Sequence, residues 1–78
     1  MINLKDTLCN IAKAIVDDPD SVVVSETVNG NKVTLVLSVA EEDMGMVIGK
    51  NGKIAKAIRT VMRAAANTEG KEVIVDIR

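Results

Sequence analysis

The sequence predicts an α+β fold in the order αββααβ, a three-stranded sheet with its helices packed on one face. Three observations carry that reading. Apolar residues recur at helical spacing in three segments. Two β-branched segments flank the dipeptide Asn29-Gly30. A third β-branched segment, with valines at every second position, closes the chain. The 78 residues, 47% of them apolar, suit one domain with a packed core, read as a single unit over residues 1–78. A domain of this size buries only about 60–65% of its unfolded surface, so a partner subunit would add stability.

The first helix is expected over residues 3–16. Leu4, Leu8, Ile11, Ala12 and Ile15 form its apolar stripe, and Asn3 is its N-cap. Asp17-Asp18-Pro19-Asp20 stops it, because the residue before a proline is pushed out of the helical region. A hairpin follows, with strands over 21–28 and 31–39 and a two-residue type I′ turn at Asn29-Gly30. That turn sets Val22 opposite Leu37 and Val24 opposite Leu35, with Val33 and Val39 on the same face. Glu26 shares the face and is expected near the exposed tip.

Glu41, Glu42 and Asp43 suit the positive end of a short helix whose apolar face is Met44, Val47 and Ile48. Gly49-Lys50-Asn51-Gly52 interrupts it, and a longer helix runs over 53–66. Its core side is expected to hold Ile54, Ile58, Val61 and Ala65. The last strand spans 71–78 with Val73, Val75 and Ile77 inward.

Composition excludes several kinds of chemistry. There is no His, a single Cys and no aromatic residue. One Cys cannot build a disulfide framework, and without His there is no Cys/His zinc site and no Ser-His or Cys-His pair. No catalytic residue, metal or cofactor is expected, and the chain reads as a non-enzyme. No apolar run reaches the roughly 18 residues of a membrane span, and no signal-peptide pattern opens the chain, so a cytoplasmic location is expected. Cys9 reads as a buried or half-buried small hydrophobe, and Asp17, Asp18 and Asp20 as a solvated turn.

Charge distribution says more than the net charge of −1. Residues 45–68 contain Lys50, Lys53, Lys56, Arg59 and Arg63 and no acidic residue, whereas the rest of the chain holds five basic and eleven acidic residues. A solvated helix usually interleaves acids with bases at i, i+4, and this one leaves its positive field uncancelled. The two glycines permit a sharp turn and close backbone approach. Gly52 leads directly into a helix, whose free N–H groups and positive dipole end favour a phosphate flanked by Lys50 and Lys53. A nucleotide-hydrolysing P-loop does not fit. Gly45 and Gly49 are separated by three residues instead of four, and Asn51 stands where Ser or Thr would hold magnesium. Gly45 inside a short helix suggests close backbone approach at a groove.

The stretch Val47-Ile48-Gly49-Lys50-Asn51-Gly52-Lys53-Ile54 resembles the signature of the K-homology (KH) domain, in which a G-x-x-G loop clamps four nucleotides of backbone. With Asp43-Met44-Gly45 before it and Ala57-Ile58-Arg59-Thr60 after it, the whole chain is similar to the small bacterial members of the type II branch. The resemblance implies single-stranded RNA binding without catalysis. Gly49, Lys50, Asn51 and Gly52 would meet the sugar-phosphate backbone. Gly45, Ile48, Lys53, Ile54, Lys56 and Arg59 would complete the groove for bases and phosphates. Position 46, often basic in the family, is Met46 here, which removes one phosphate contact. The lack of aromatics excludes an RRM-type stacking platform but not an aliphatic KH groove.

The resemblance also implies self-association, and pairing with a larger KH-containing protein of the KhpB/Jag type in networks that govern cell elongation and division. The apolar arc of the long helix is wide for a single core, and Val61, Met62, Ala65 and Ala66 are the expected homodimer contacts. The same features admit a second reading, a protein-interaction or assembly module with weak or no RNA binding.

Overall fold

Asn3 starts the first helix, α1 (Leu4–Ile15), its Oδ1 accepting the Asp6 N–H at 3.1 Å. The computed structural model describes residues 3–78. Leu4, Leu8 and Ala12 turn inward from α1, and Cys9 packs half-buried on its flank. The helix ends at Val16, which is extended. Pro19 then opens a single 3₁₀ turn, Pro19–Ser21, held by the Ser21 hydroxyl donating to Asp18 Oδ2 at 2.7 Å.

Strand β1 (Val23–Asn29) pairs antiparallel with β2 (Lys32–Ser38). The loop between them is Gly30-Asn31, one position beyond the expected Asn29-Gly30. Gly30 has φ +63° and Asn31 has no positive φ, the pattern of a type II′ turn with glycine at its first central position. Val24 therefore faces Leu37 and Glu26 faces Leu35, two residues away from the expected register. A shift of two preserves the alternation of faces, so Val22, Val24, Val33, Leu35 and Leu37 are all buried as expected. Glu26 remains exposed toward the tip. The shifted loop also leaves the Asn31 carbonyl free to accept the Glu72 N–H at 2.9 Å, where the last strand begins.

A second 3₁₀ turn (Glu41–Asp43) leads into α2 (Met44–Ile48), then a third (Lys50–Gly52), α3 (Lys53–Thr68) and β3 (Glu72–Ile77). β3 lies parallel to β2, so the sheet order is β1-β2-β3 with β2 central. Val73 and Val75 are buried and Ile77 half-buried against the core.

The core face of α3 differs from the expected one by about one residue. Ala55, Ile58, Met62 and Ala66 are buried, whereas Ile54 is 37% and Val61 52% exposed. Met62 is 0% exposed. Its unbranched side chain adapts to the space under the helix, and the small Ala55 and Ala66 at either end let α3 sit close to its neighbours. Turning Val61 inward instead would have expelled the larger and more flexible group.

Asp43 has a burial and a partner that its place at the helix start does not foretell. Glu41 and Glu42 are exposed, as carboxylates near a helix start should be. Asp43 is 1% exposed, and its Oδ2 accepts the Asp18 N–H at 3.0 Å. It ties the turn after α1 to the start of α2. Asp43→Ala is expected to cost about 2 kcal/mol, since a hydrogen bond to a charged acceptor is lost and the Asp18 donor is left unpaired. Asp43→Asn, whose amide oxygen can still accept, is expected to lose less than half of that. Urea denaturation of the two variants beside wild type checks the ranking, and equal losses would reject the tether.

Candidate nucleic-acid interface

The loop between α2 and α3 is built on left-handed backbone. α2 closes with the Gly49 N–H donating to the Gly45 carbonyl at 2.9 Å. Gly49 then takes φ +75°, and a β-carbon built on it would lie 2.6 Å from Ile54 Cγ1. Glycine is required there twice, by dihedral and by space. Asn51 (φ 59°, ψ 26°) and Gly52 (φ 73°, ψ 16°) are both left-handed, and asparagine is among the few side chains that tolerate this. The Gly52 N–H donates back to the Gly49 carbonyl at 3.2 Å, which closes the turn.

The turn delivers the chain into α3 with no side chain capping its first N–H groups. That is the arrangement in which a helix start presents backbone donors and positive dipole to an anion. Lys50, Asn51, Lys53 and Lys56 are exposed around it, and Gly52 is half-buried. None of Lys50, Lys53, Lys56, Arg59 or Arg63 makes an ion pair with a described residue. All of these but Arg59 are exposed, so the basic residues of 45–68 stand at the surface.

Arg59 stands apart from the lysines. It is half-buried, and its Nε donates to the Val75 carbonyl at 3.2 Å, on the edge of β3. One of its five donors is thus used to fix the guanidinium against the strand, and the others remain for a ligand. A groove of about 220 Å³ lies here, lined by Arg59, Arg63, Val73, Ile74 and Val75. The part of β3 in this groove was not legible in the sequence. Alternating valines point to a strand, but not to a free edge facing the basic helix.

The other expected site residues fall as follows. Ile48 is half-buried, and Ile54 lies over the loop against Gly49. Gly45 is exposed, and a β-carbon there would meet nothing within 4 Å. No described neighbour demands glycine at position 45. Of the expected dimer contacts, Met62 and Ala66 are buried in the domain's own core and offer no surface, for the packing reason given above. Ala65 is half-buried and Val61 is exposed.

An αββααβ chain with a three-stranded mixed sheet and a glycine loop between its last two helices is a type II KH domain. Residues 5–77 match the family model described as KhpA/KhpB, KH domain, and the chain belongs to that family. It is 57% identical over 74 residues to the RNA-binding protein KhpA of Clostridium acetobutylicum, spanning 95% of this chain and 99% of that protein. It is 51% identical over 74 residues to the RNA-binding protein KhpA of Clostridium perfringens, with the same coverage. Among solved structures, the fold superposes on Era in complex with MgGDPNP and nucleotides 1506–1542 of 16S ribosomal RNA, with a TM-score of 0.68 at 20% identity. That match covers 95% of this chain and 28% of the Era chain. No helix among the described residues is long and apolar enough to cross a membrane.

Proposed function

We propose that the chain acts as a single KH unit that binds single-stranded RNA in the cytoplasm, without catalysis. The observation that carries this reading is the left-handed turn at Gly49, Asn51 and Gly52, which aims a helix start without a side-chain cap outward among lysines that make no ion pair with a described residue. The backbone of one or two nucleotides sits on that turn between Lys50 and Lys53. Bases then lie over Ile48 and Ile54 toward the Arg59 guanidinium, and the open space above Gly45 admits the strand. Membership of a family whose relatives are named RNA-binding proteins supports the same conclusion.

Three to five basic residues neutralising phosphates set the salt dependence. The slope of log K against log salt for a short RNA is expected to be about −2 to −3.5, at roughly 0.7 per contact for single strands. Filter binding across a salt series measures it. A flat dependence would reduce the basic face to solvated surface.

Self-association belongs to the same proposal. Ala57, Val61 and Ala64 are exposed along α3 and form the surplus apolar arc that remains once Met62 and Ala66 are assigned to the core and Ile54 to the loop. A two-fold pair would bury this one patch against itself. Pairing with a KhpB/Jag-like protein, in regulation linked to cell elongation and division, would use the same helix.

A further inference from the structure

We propose that the cavity at the far end of α3, walled by Lys32, Arg63, Asn67 and Lys71, is a second phosphate subsite that holds the RNA strand beyond the loop. It rests on the RNA reading above and extends it along the molecule. The cavity measures about 320 Å³, and its walls come from four parts of the chain: the second half of α3, the connection after it, the start of β3 and the start of β2. Lys32 is brought there by its pairing with Glu72, the residue next to Lys71. Lys32, Arg63 and Lys71 make no ion pair with a described residue, although the Glu72 carboxylate shares the wall and leaves two net positive charges.

The cavity is not isolated. It shares Arg63, Val73 and Ile74 with the groove beside Arg59, so one trough runs from Arg59 to Asn67. Along α3, Lys53, Lys56, Arg59, Arg63 and Asn67 succeed one another every three or four residues, a single stripe on one side of the helix. From Lys53 to Asn67 the stripe rises about 21 Å. Ammonium and guanidinium groups offer donors only, which suits phosphate oxygens, and the Asn67 amide can serve a phosphate or a base edge. Ile74, 44% exposed, gives the same trough an apolar wall for a base or ribose. Anions at regular intervals joined to flat apolar bodies are what a single-stranded nucleic acid supplies.

The test uses fluorescein-labelled, mixed-sequence single-stranded RNAs of four and about ten nucleotides, lengths within the range of small single-strand sites. Anisotropy is read on the wild type, on Lys50→Asp/Asn51→Asp, and on Lys32→Gln/Arg63→Gln/Lys71→Gln, whose positions are all exposed. The wild type should bind the longer RNA about tenfold more tightly than the tetranucleotide, through contacts of the kind that set salt-dependent affinity. The triple variant should bind the tetranucleotide as the wild type does and lose the gain with length. Its salt slope on the longer RNA should be shallower by about 2, three contacts at roughly 0.7 each. Arg63→Glu alone, at one exposed helix position, should show the same pattern and serves if the triple variant does not fold. Equal affinity of the wild type for both lengths, or a triple variant that retains the gain, overturns the subsite and leaves the RNA reading intact. A wild type that binds neither RNA overturns the RNA reading itself. A polyglutamate peptide that binds the wild type as tightly as the longer RNA, and the triple variant more weakly, reassigns the cavity to an acidic protein.

Discussion

Lys50→Asp combined with Asn51→Asp is expected to abolish RNA binding while leaving the far-ultraviolet spectrum unchanged. Both side chains are exposed, and neither makes a hydrogen bond to another described side chain. Aspartate tolerates the left-handed conformation of position 51 much as asparagine does, so the turn should survive. What changes is charge. Two carboxylates would confront a phosphate at a point where the structure offers backbone donors and cations. Like charges set together at an interface cost several kcal/mol, which puts the expected loss of affinity at about 100-fold or more. Filter binding of a short single-stranded RNA, with circular dichroism as the folding control, decides it. Unchanged affinity in a folded double variant would remove the loop from the binding site.

The second large effect separates the two sides of α3. Met62→Asp is expected to unfold the domain, because it places a carboxylate where the side chain is 0% exposed and removes the volume that fills the core. Burial of an unpaired charge together with loss of packing costs more than about 4 kcal/mol, comparable to the whole stability of a domain this small. Val61→Asp, one residue away, begins from a position 52% exposed and should leave the fold intact. If α3 pairs with its symmetry mate, that variant should sediment as a monomer at concentrations where the wild type is dimeric. Circular dichroism and sedimentation equilibrium on the two variants provide both readouts. A folded Met62→Asp would contradict the placement of the core. A wild type that remains monomeric at high micromolar concentration would remove the dimer.

Met62 also shows where sequence reasoning stops. Helical spacing located α3 and its basic side, since Lys53, Lys56 and Arg63 are exposed as expected. It misplaced the core face by one residue because Ile54, Val61, Met62, Ala65 and Ala66 are all apolar and a wide arc has no unique centre. Only the shapes of α1 and the sheet choose Met62 over Val61. The Asn-Gly dipeptide located the hairpin, but a one-residue change in loop position swaps one primed turn for another without disturbing the alternation that made the strands visible. The glycine loop was legible because its requirements are local: Gly49, Asn51 and Gly52 all have positive φ. The partners of Asp43 and Arg59 were not legible for the opposite reason. The partner of each is a backbone group remote in sequence, the N–H of Asp18 and the carbonyl of Val75, and no spacing rule reports that. The cavity at Lys32 and Lys71 was invisible likewise, since both lysines lie outside the basic segment.

The position of β2 at the centre of the sheet has a consequence for how the groove comes into being. Its two neighbours reach it by very different routes. Asn29 meets Lys32 across a two-residue loop, whereas Glu72 meets the same Lys32 only after the whole of α2, the glycine turn and α3 have been laid down between them. Closing the longer segment carries an entropic cost roughly 2 kcal/mol greater, by logarithmic scaling with length. The hairpin can form from its own local contacts. β3 docks only when the burial of Val73 and Val75 beneath α3 repays that closure. The glycine turn is made of local backbone, but the trough beside it exists only while the longer-range of the two strand pairings holds. Local opening of β3 would therefore leave a chain that still carries its glycine turn and has no surface along which to seat a strand.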